Sequence, residues 1–515
     1  MATIAFELDG RPVEAPDLGS NLLVALREHL GVRSVKDGCS PQGQCGCCTV
    51  LVDGAPRVAC VTPLRRVAGR SVTTVDGLDA GRRDEWAASF CAHGASQCGF
   101  CTPGIIVRLE ALRTKRGDQV DEPAVERALA AHLCRCTGWQ TIIDAALGHA
   151  APDAADRDLA AAGRRASIEG GAVQLVDPRV ALGRAGFADD TAPDDALVAL
   201  PGSDGGWIVA DSLVEAQALA AKVQGRRTTL PVGWPLEPPT GEWVATLRTT
   251  WVEPAYLEPD ASWCAPGGEP ASALANGGAF GGKSDTEVGA VARRLADEHG
   301  RPVRVLLPRE ATVRHGPKRP PVAGGIRADG SGELRVVRTP GIADAVAAVA
   351  PDLVVTEVDV AGPPTSASLR AAGWAEAILL RSALDPDGPV EVVDPDDGGR
   401  AVAELADGRI HVEVAGGEVL DEVVMRSYVV GAAHQALGWV TSEALAVDGD
   451  GEVHDLTIRS FGIVRPSDMW PVDVVVHHEP SPPTRVGDAA FVAVAAALWR
   501  MGGCPPSLPT ELELP

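Results

Sequence analysis

Positive charge is scarce in this 515-residue chain: 46 Lys and Arg face 70 Asp and Glu, a formal net charge of −24. Phosphate binding needs a basic face, so nucleic acid is excluded as a partner class, and an anionic membrane surface with it. An acid excess serves solubility instead. Long apolar runs are absent. The longest, such as "FVAVAAALW" (Phe491 to Trp499), are too short to span a bilayer. The opening "MATIAFELDGRPVEAPD" has no basic stretch leading into an apolar core. No targeting segment is therefore expected, and the cytoplasm is the expected compartment. Cysteine nearly vanishes beyond residue 136, where only Cys264 and Cys504 remain.

What is present is correspondingly concentrated. Ten of the twelve cysteines lie at or before Cys136. Thiols clustered in a reducing compartment point to metal binding or catalysis. The length predicts several domains, and 45% apolar with 23% charged residues is ordinary globular composition.

The first group lies in "GCSPQGQCGCCTV", Gly38 to Val50. Cys39, Cys45, Cys48 and Cys60 are spaced C-x5-C-x2-C-x11-C. The plant-type two-iron two-sulfur pattern is C-x4-C-x2-C with a distant fourth cysteine, one residue shorter in its first gap. Zinc is the rival, but zinc ribbons bring two C-x2-C knuckles and this segment has one. Cys47 is the odd thiol, read as a small residue in a tight loop. "TIAFELDGRPVEA" and "TVLVDGAPRVAC" each read as strand, Asp-Gly turn, strand. "SNLLVALREHL" reads as a helix behind a Ser20 cap. Two hairpins and a helix suit a small β-grasp ferredoxin.

The second group is a weak internal repeat, "QCGFCTPGIIVRLEAL" from Gln97 and "LCRCTGWQTIIDAAL" from Leu133. Each places two cysteines before a helix, with Thr102 and Thr137 as expected N-caps and Pro103 in a first turn. Helix N-termini favour anionic ligands, so Cys98, Cys101, Cys134 and Cys136 form a second four-thiol site. Another 2Fe-2S cluster is its simplest occupant, with a redox pair or a zinc site as alternatives. Cys91 falls outside the pattern and reads as a core residue.

Together these motifs resemble the iron–sulfur subunit of the molybdenum hydroxylases, the xanthine dehydrogenase/aldehyde oxidase/carbon monoxide dehydrogenase family. The resemblance covers residues 1 to about 150. It implies that Gln97 lies against the pterin of the molybdenum cofactor, that the helical cluster is nearest molybdenum, and that the plant-type cluster passes electrons onward.

Beyond about 150 the resemblance shifts to that family's molybdenum-cofactor subunit. "WVEPAYLEPDASWCAPGG", "NGGAFGGKSD", "RPVRVLLPREATVRHGPKRPP", "LRAAGWAEAILLRSALD", "SYVVGAAHQALGWVTSEALAVD" and "DLTIRSFGIVRPSDMWPVDV" appear in the family's order. The resemblance makes Gly278, Phe280, Gly281 and Arg370 candidate pterin contacts, with Arg370 suited to clamp an oxyanion. The copy is shortened. The glutamine-bearing segment expected between Tyr256 and Gly277 is not found. The long insert with Gly-Gln-Gly-type turns is replaced by "PDGPVEVVDPDDGGRAVAELADGRIHVEVAGGEVLDEVV". In "RVGDAAF" the family's catalytic glutamate position holds Asp488, whose shorter reach makes it a doubtful base. No FAD-binding domain is recognisable.

The expected fold class is α+β multidomain. A β-grasp 2Fe-2S ferredoxin (1–80) is followed by an all-α 2Fe-2S helical domain (81–150) and an Ala-, Asp- and Arg-rich surface linker (151–172). A small α/β domain (173–240) and a shortened α/β molybdenum-cofactor-subunit-like region (241–515) complete it. The expected function is electron transfer within a molybdenum hydroxylase complex, from molybdopterin through two 2Fe-2S clusters to a flavoprotein or another acceptor. That implies a hetero-oligomer with a molybdenum subunit, and with a FAD subunit where a flavoprotein is the acceptor. A self-contained compact hydroxylase of an N-heterocycle or aldehyde, and a non-catalytic scaffold or relay, remain as alternatives.

Overall fold

A computed structural model describes residues 2–117, 119–148, 157–203, 205–220, 228–274 and 279–512. Its strands, in chain order, are β1 (Thr3–Leu8), β2 (Arg11–Pro16), β3 (Thr49–Val52), β4 (Ala55–Val58), β5 (Ser71–Thr73), β6 (Leu197–Pro201), β7 (Trp207–Ala210), β8 (Ala245–Arg248) and β9 (Asp260–Cys264). There follow β10 (Val303–Leu307), β11 (Val322–Ile326), β12 (Gly332–Val337), β13 (Leu353–Val358), β14 (Val390–Val393), β15 (Arg400–Ala406), β16 (Arg409–Ala415) and β17 (Val472–His477). They form four sheets, ordered β2-β1-β5-β3-β4, β7-β6-β10-β9, β13-β12-β11-β8 and β14-β15-β16-β17.

Both Asp-Gly hairpins are present. Asp9 and Gly10 have φ of 50° and 76°, Asp53 and Gly54 of 49° and 75°. Such paired positive φ values make the tight turn that suits strand twist, and the registers close at Leu8–Arg11 and Val52–Ala55. The helical stretch that follows differs from expectation. Asn21, not Ser20, caps it, accepting from the Val24 amide at 3.0 Å. One turn (Leu22–Val24) then widens into a π-helical segment, Ala25–His29.

Helices α1 (Ala80–Ala92), α2 (Thr102–Arg116), α3 (Glu122–Leu129) and α4 (Gln140–Leu147) form the next layer. The expected threonine caps are not used. Cys101 itself occupies the N-cap of α2, which puts Thr102 and Pro103 in its first turn. Before α4 the chain turns through Trp139 at φ 71°; its buried indole donates to the Val464 carbonyl at 2.9 Å. Thr137 instead places Oγ1 3.1 Å from Cys134 Sγ.

The surface linker expected over 151–172 is overturned where it is described. Helix α5 (Leu159–Gly170) buries Ala162, Ala166 and Arg165 against Val424 and Tyr428. Its alanines allow close helix packing. The buried Arg165 guanidinium donates to Glu169 one turn on and to the Thr484 carbonyl, while its Nε finds no partner among the described residues. Residues 173–240 likewise do not close on themselves. Strand β6 is buried over Leu197–Leu200, so both faces need cover, and it pairs in parallel with β10, across residue 240. Helix α6 (Val288–His299) packs on this sheet.

The remaining core surrounds α7 (Trp374–Ser382), α8 (Glu422–Thr441) and α9 (Gly487–Met501). Helix α8 is buried continuously from Ser427 to Val440, as a helix apolar on all sides must be. The segment replacing the long insert folds as the meander β14-β15-β16 on the fourth sheet. Among the described residues no helix is long and apolar enough to cross a membrane.

Gly431, midway along α8, fixes how the two parts meet. A Cβ there would lie 1.8 Å from the Cys136 carbonyl oxygen. Gly431→Ala should therefore force α8 away from the cysteine loop. The expected loss is about 3 kcal/mol or more, as for overpacking against rigid backbone. It is read as a lower unfolding midpoint together with reduced iron retention.

Candidate functional site

The first thiol group is assembled by the loop before β3 and the 3-10 turn Ala59–Val61. The Cys39 thiol lies beside those of Cys45 and Cys60, and Cys60 beside Cys48. These contacts, with the Gln44 and Gln42 amides, hold Cys39 well below the usual thiol range despite burial. The amides of Gln42 and Cys60 point at Cys39 Sγ and Cys48 Sγ, at 3.3 and 3.4 Å. The long step from Cys39 to Cys45 is absorbed by Ser40, at φ 57°, whose hydroxyl accepts from the Arg309 amide at 2.8 Å. Cys47 is as buried as its neighbours and faces the second group, feeling the charge of Cys98.

The second group brings Cys136 Sγ within 3.6 Å of Cys98 Sγ and joins Cys101 to Cys134. Cys134 is pulled down to about 6, first by the Cys101 thiol, then by Thr137. All described cysteines are free thiols. Among the described residues no three such donors converge as they would on one metal ion. Paired thiols with amides aimed at sulfur suit a two-iron cluster, where ligands divide between irons.

The C-terminal part grips this second loop. Arg135 forms a two-pronged pair with buried Glu443 and donates to the Pro254 carbonyl at 2.9 Å. Gln435 Nε2 donates to the Arg135 carbonyl at 3.0 Å. Gln97 Nε2 donates to the carbonyls of Cys136 (3.0 Å) and Ser427 (3.1 Å) and to Ser427 Oγ (2.9 Å).

Beside this group lies a cavity of about 260 Å³, with Gln97, Cys98, Cys101 and Cys136 on one side and Phe280, Gly281 and Arg370 on the other. Of the candidate pterin contacts, Gly278 falls outside the described residues. Phe280 (φ 54°) and Gly281 (φ 84°) turn back to back with the arginine loop, where a Cβ on Gly281 would meet the Ser368 carbonyl oxygen at 1.8 Å. Arg370 lies over the Phe280 ring at 5.1 Å and donates to Asp488 (3.0 Å) and Gln435 (2.9 Å). Arg319 positions that loop: its guanidinium bonds the Arg370 and Ala371 carbonyls while pairing with buried Glu376 at 2.6 and 2.9 Å.

Asp488 is not an open carboxylate. Arg370 holds one oxygen and Arg485 Nε lies 3.6 Å from the other. Sequence reasoning missed two cavity residues, Glu169 and Glu258, and Gln435 behind Arg370. Glu169, from the supposed linker, accepts from the Val486 and Gly487 amides and so caps α9 from across the fold. Gln435 bridges Arg370 to the cysteine loop. Glu258 pairs with buried Lys283 at 2.9 Å. Only Glu258 left a local signal, an acid inside the otherwise apolar "YLEP".

Residues 74–147 match the [2Fe-2S] binding domain family. The chain is 36% identical over 147 residues to the xanthine dehydrogenase iron-sulfur-binding subunit of Escherichia coli O157:H7, covering 28% of this chain and 92% of that one. This chain belongs to the molybdenum hydroxylase family. It is also 38% identical over 157 residues to the xanthine dehydrogenase of Blastobotrys adeninivorans. That match takes in 28% of this chain and spans 11% of the relative's length. The whole fold matches the aldehyde oxidoreductase of Desulfovibrio desulfuricans ATCC 27774 with a TM-score of 0.71 at 16% identity, over 99% of each chain. The fold is thus a mixed α/β multidomain one of the aldehyde oxidoreductase type. Family members carry 2Fe-2S clusters and molybdopterin.

Each two-iron cluster needs its own four ligands. Cys45→Ser and Cys101→Ser should therefore each remove about half of the bound iron. Reduced-state EPR should lose a different signal in each variant; loss of both signals from either would reject two independent sites.

Proposed function

We propose that this chain is the iron–sulfur electron-transfer component of a molybdenum hydroxylase. Electrons would pass from a molybdopterin site through the cluster at Cys98, Cys101, Cys134 and Cys136. The cluster at Cys39, Cys45, Cys48 and Cys60 would then deliver them to a flavoprotein or another acceptor. The observation that carries this reading is the shared wall: Cys98, Cys101 and Cys136 line the same cavity as Phe280, Gly281 and Arg370. The nearness of the two thiol groups supports transfer between them, since Cys101 feels the charge of Cys47.

The cavity suits an anionic pterin ligand. Arg370 lines it and spends one arm on the uncharged Gln435, while Arg135 and Arg485, also on its wall, are paired with Glu443 and Asp394. Gln97, Phe280, Gly281 and Arg370 would hold the pterin. The cofactor, when bound, supplies the two-electron oxidation of the substrate with oxygen from water. The chain's own residues position it. Glu376 fixes Arg319, Arg319 fixes the arginine loop, and Asp488 steadies Arg370 rather than serving as an open base. The layout proposed keeps a β-grasp ferredoxin at 1–80 and a helical cluster domain at 81–150. It treats 157–515 as one shortened cofactor-subunit-like region. Twelve thiols without a disulfide among the described residues fit a reducing cytoplasm.

Two arrangements follow. In the first, the chain docks on a complete molybdenum subunit and a FAD subunit as a hetero-oligomer. In the second, it is a compact hydroxylase by itself, which the walling of the cavity by one chain favours. Iron, molybdenum and pterin measured in the chain alone and with co-purifying partners separate them. Iron alone in the lone chain, joined by molybdenum in the complex, is expected of the first. Stoichiometric molybdenum in the lone chain establishes the second. A single reduced-state EPR signal, or zinc in place of iron, rejects both.

A further inference from the structure

The two thiol groups have separate cavities. The second group walls the one already described. Near the first lies a larger cavity, of about 570 Å³, and the two share no lining residue among those described. Small-molecule sites run to about 300–1,000 Å³. The larger cavity opens where β6 and β10 end. These strands run parallel, and Leu200, Pro201, Leu307 and Pro308 at their carboxyl ends line it. Open α/β sheets bind their ligands in that crevice.

The short helix Arg309–His315 joins this cavity to the first thiol group. At its start the Arg309 amide donates to Ser40 Oγ, beside Cys39, at 2.8 Å. Glu310 lines the cavity and accepts from Gln42 Nε2 at 3.0 Å. The Gln42 amide points in turn at Cys39 Sγ, at 3.3 Å. A hydrogen-bonded path through two side chains thus leads from that sulfur to the cavity wall. The far end of the helix places Arg314 on the same wall. Its Nε is enclosed, but both Nη groups stay accessible, and no carboxylate among the described residues pairs with them.

The wall selects by charge. Glu287, Glu310 and Glu452 outnumber the one unpaired guanidinium, in a chain of net charge −24. Burial, Arg314 and Lys318 push His315 down, so it adds no positive charge at neutral pH. Such a wall repels a phosphate-bearing acceptor, whether a nicotinamide or a flavin nucleotide. Half-buried Trp207 and the proline faces suit a flat, uncharged ring instead. Arg314 offers N–H donors to a carbonyl oxygen on that ring.

We propose that this cavity binds an uncharged quinone, which accepts the electrons leaving the first cluster. The inference rests on the electron-transfer reading and names its acceptor. Substrate oxidation releases two electrons, and the clusters pass them on singly. The quinone takes both, together with two protons from water at the cavity mouth. Two O–H bonds form as its two C=O groups become C–OH, and the balance closes.

Stopped-flow reoxidation tests this, using the full chain reduced with dithionite, freed of excess reductant and kept without oxygen. With menadione, recovery of the oxidised-cluster absorbance should saturate as the quinone is raised. Calorimetry on the oxidised chain should give a dissociation constant matching the half-saturation point. Arg314→Gln should raise both values about tenfold, through loss of a hydrogen bond from a charged donor. Arg314→Lys should restore most of the loss. NAD+ and FMN should neither bind nor reoxidise the chain. Reoxidation that rises with menadione without saturating, or values unmoved by Arg314→Gln, overturns the inference. Reoxidation by NAD+ or FMN in place of menadione overturns it too. The comparison of probes, made on the unaltered chain, decides the matter even if a variant fails to fold. EPR on the reduced sample keeps the two readings apart. Two cluster signals without menadione binding sink the quinone site alone. Menadione bound to a chain without cluster signals sinks the electron-transfer reading alone.

Discussion

Everything in the site depends on one close approach, between the Cys136 carbonyl and the backbone of α8 at Gly431. Side chains flanking that glycine complete the contact, Ser427 receiving Gln97 and Gln435 reaching the Arg135 carbonyl. Because the cysteine loop is pressed directly onto the helix, thiols on one side and Arg370 on the other share one cavity. A methyl group at that point would separate them.

Charge is used in the same way. The chain is acidic overall, yet its buried positions carry arginine. Arg135, Arg165 and Arg319 each pair with a buried glutamate, and each uses spare N–H groups to hold a carbonyl of a neighbouring loop. The planar guanidinium suits this double task, because one face of its fork can take a carboxylate while the rest reaches backbone. The surface charge favours solubility, and the internal charge fixes geometry.

The front of the molecule was largely legible from its sequence. Cysteine spacing and two Asp-Gly turns are local signals, and local geometry obeys them. The caps were read less well, because Cys101 displaces Thr102 and the chain turns at Trp139, choices set by packing against β-rich neighbours and Val464. The tail was legible only in fragments. Nothing in "DLAAAGRRASIEGG" shows that its glutamate meets the amides of Val486 and Gly487, more than 300 residues away in the chain. Nor does Asp488 reveal in sequence that two guanidiniums enclose it. Such features come from long-range contacts, which a one-dimensional pattern does not carry. The expected linker failed for that reason: alanine-rich composition fits a solvated spacer and a tightly packed helix equally well.

The cap that Glu169 places on α9 has a further consequence. Helix starts ordinarily take their acceptor from the residue just before them; here it comes from the connection between the cluster-bearing part and the rest. The connection is thus a strut, not a tether. Cutting the polypeptide ahead of it would leave the cap in place, whereas removing the strut would strip the C-terminal half of a cap it has no local residue to replace.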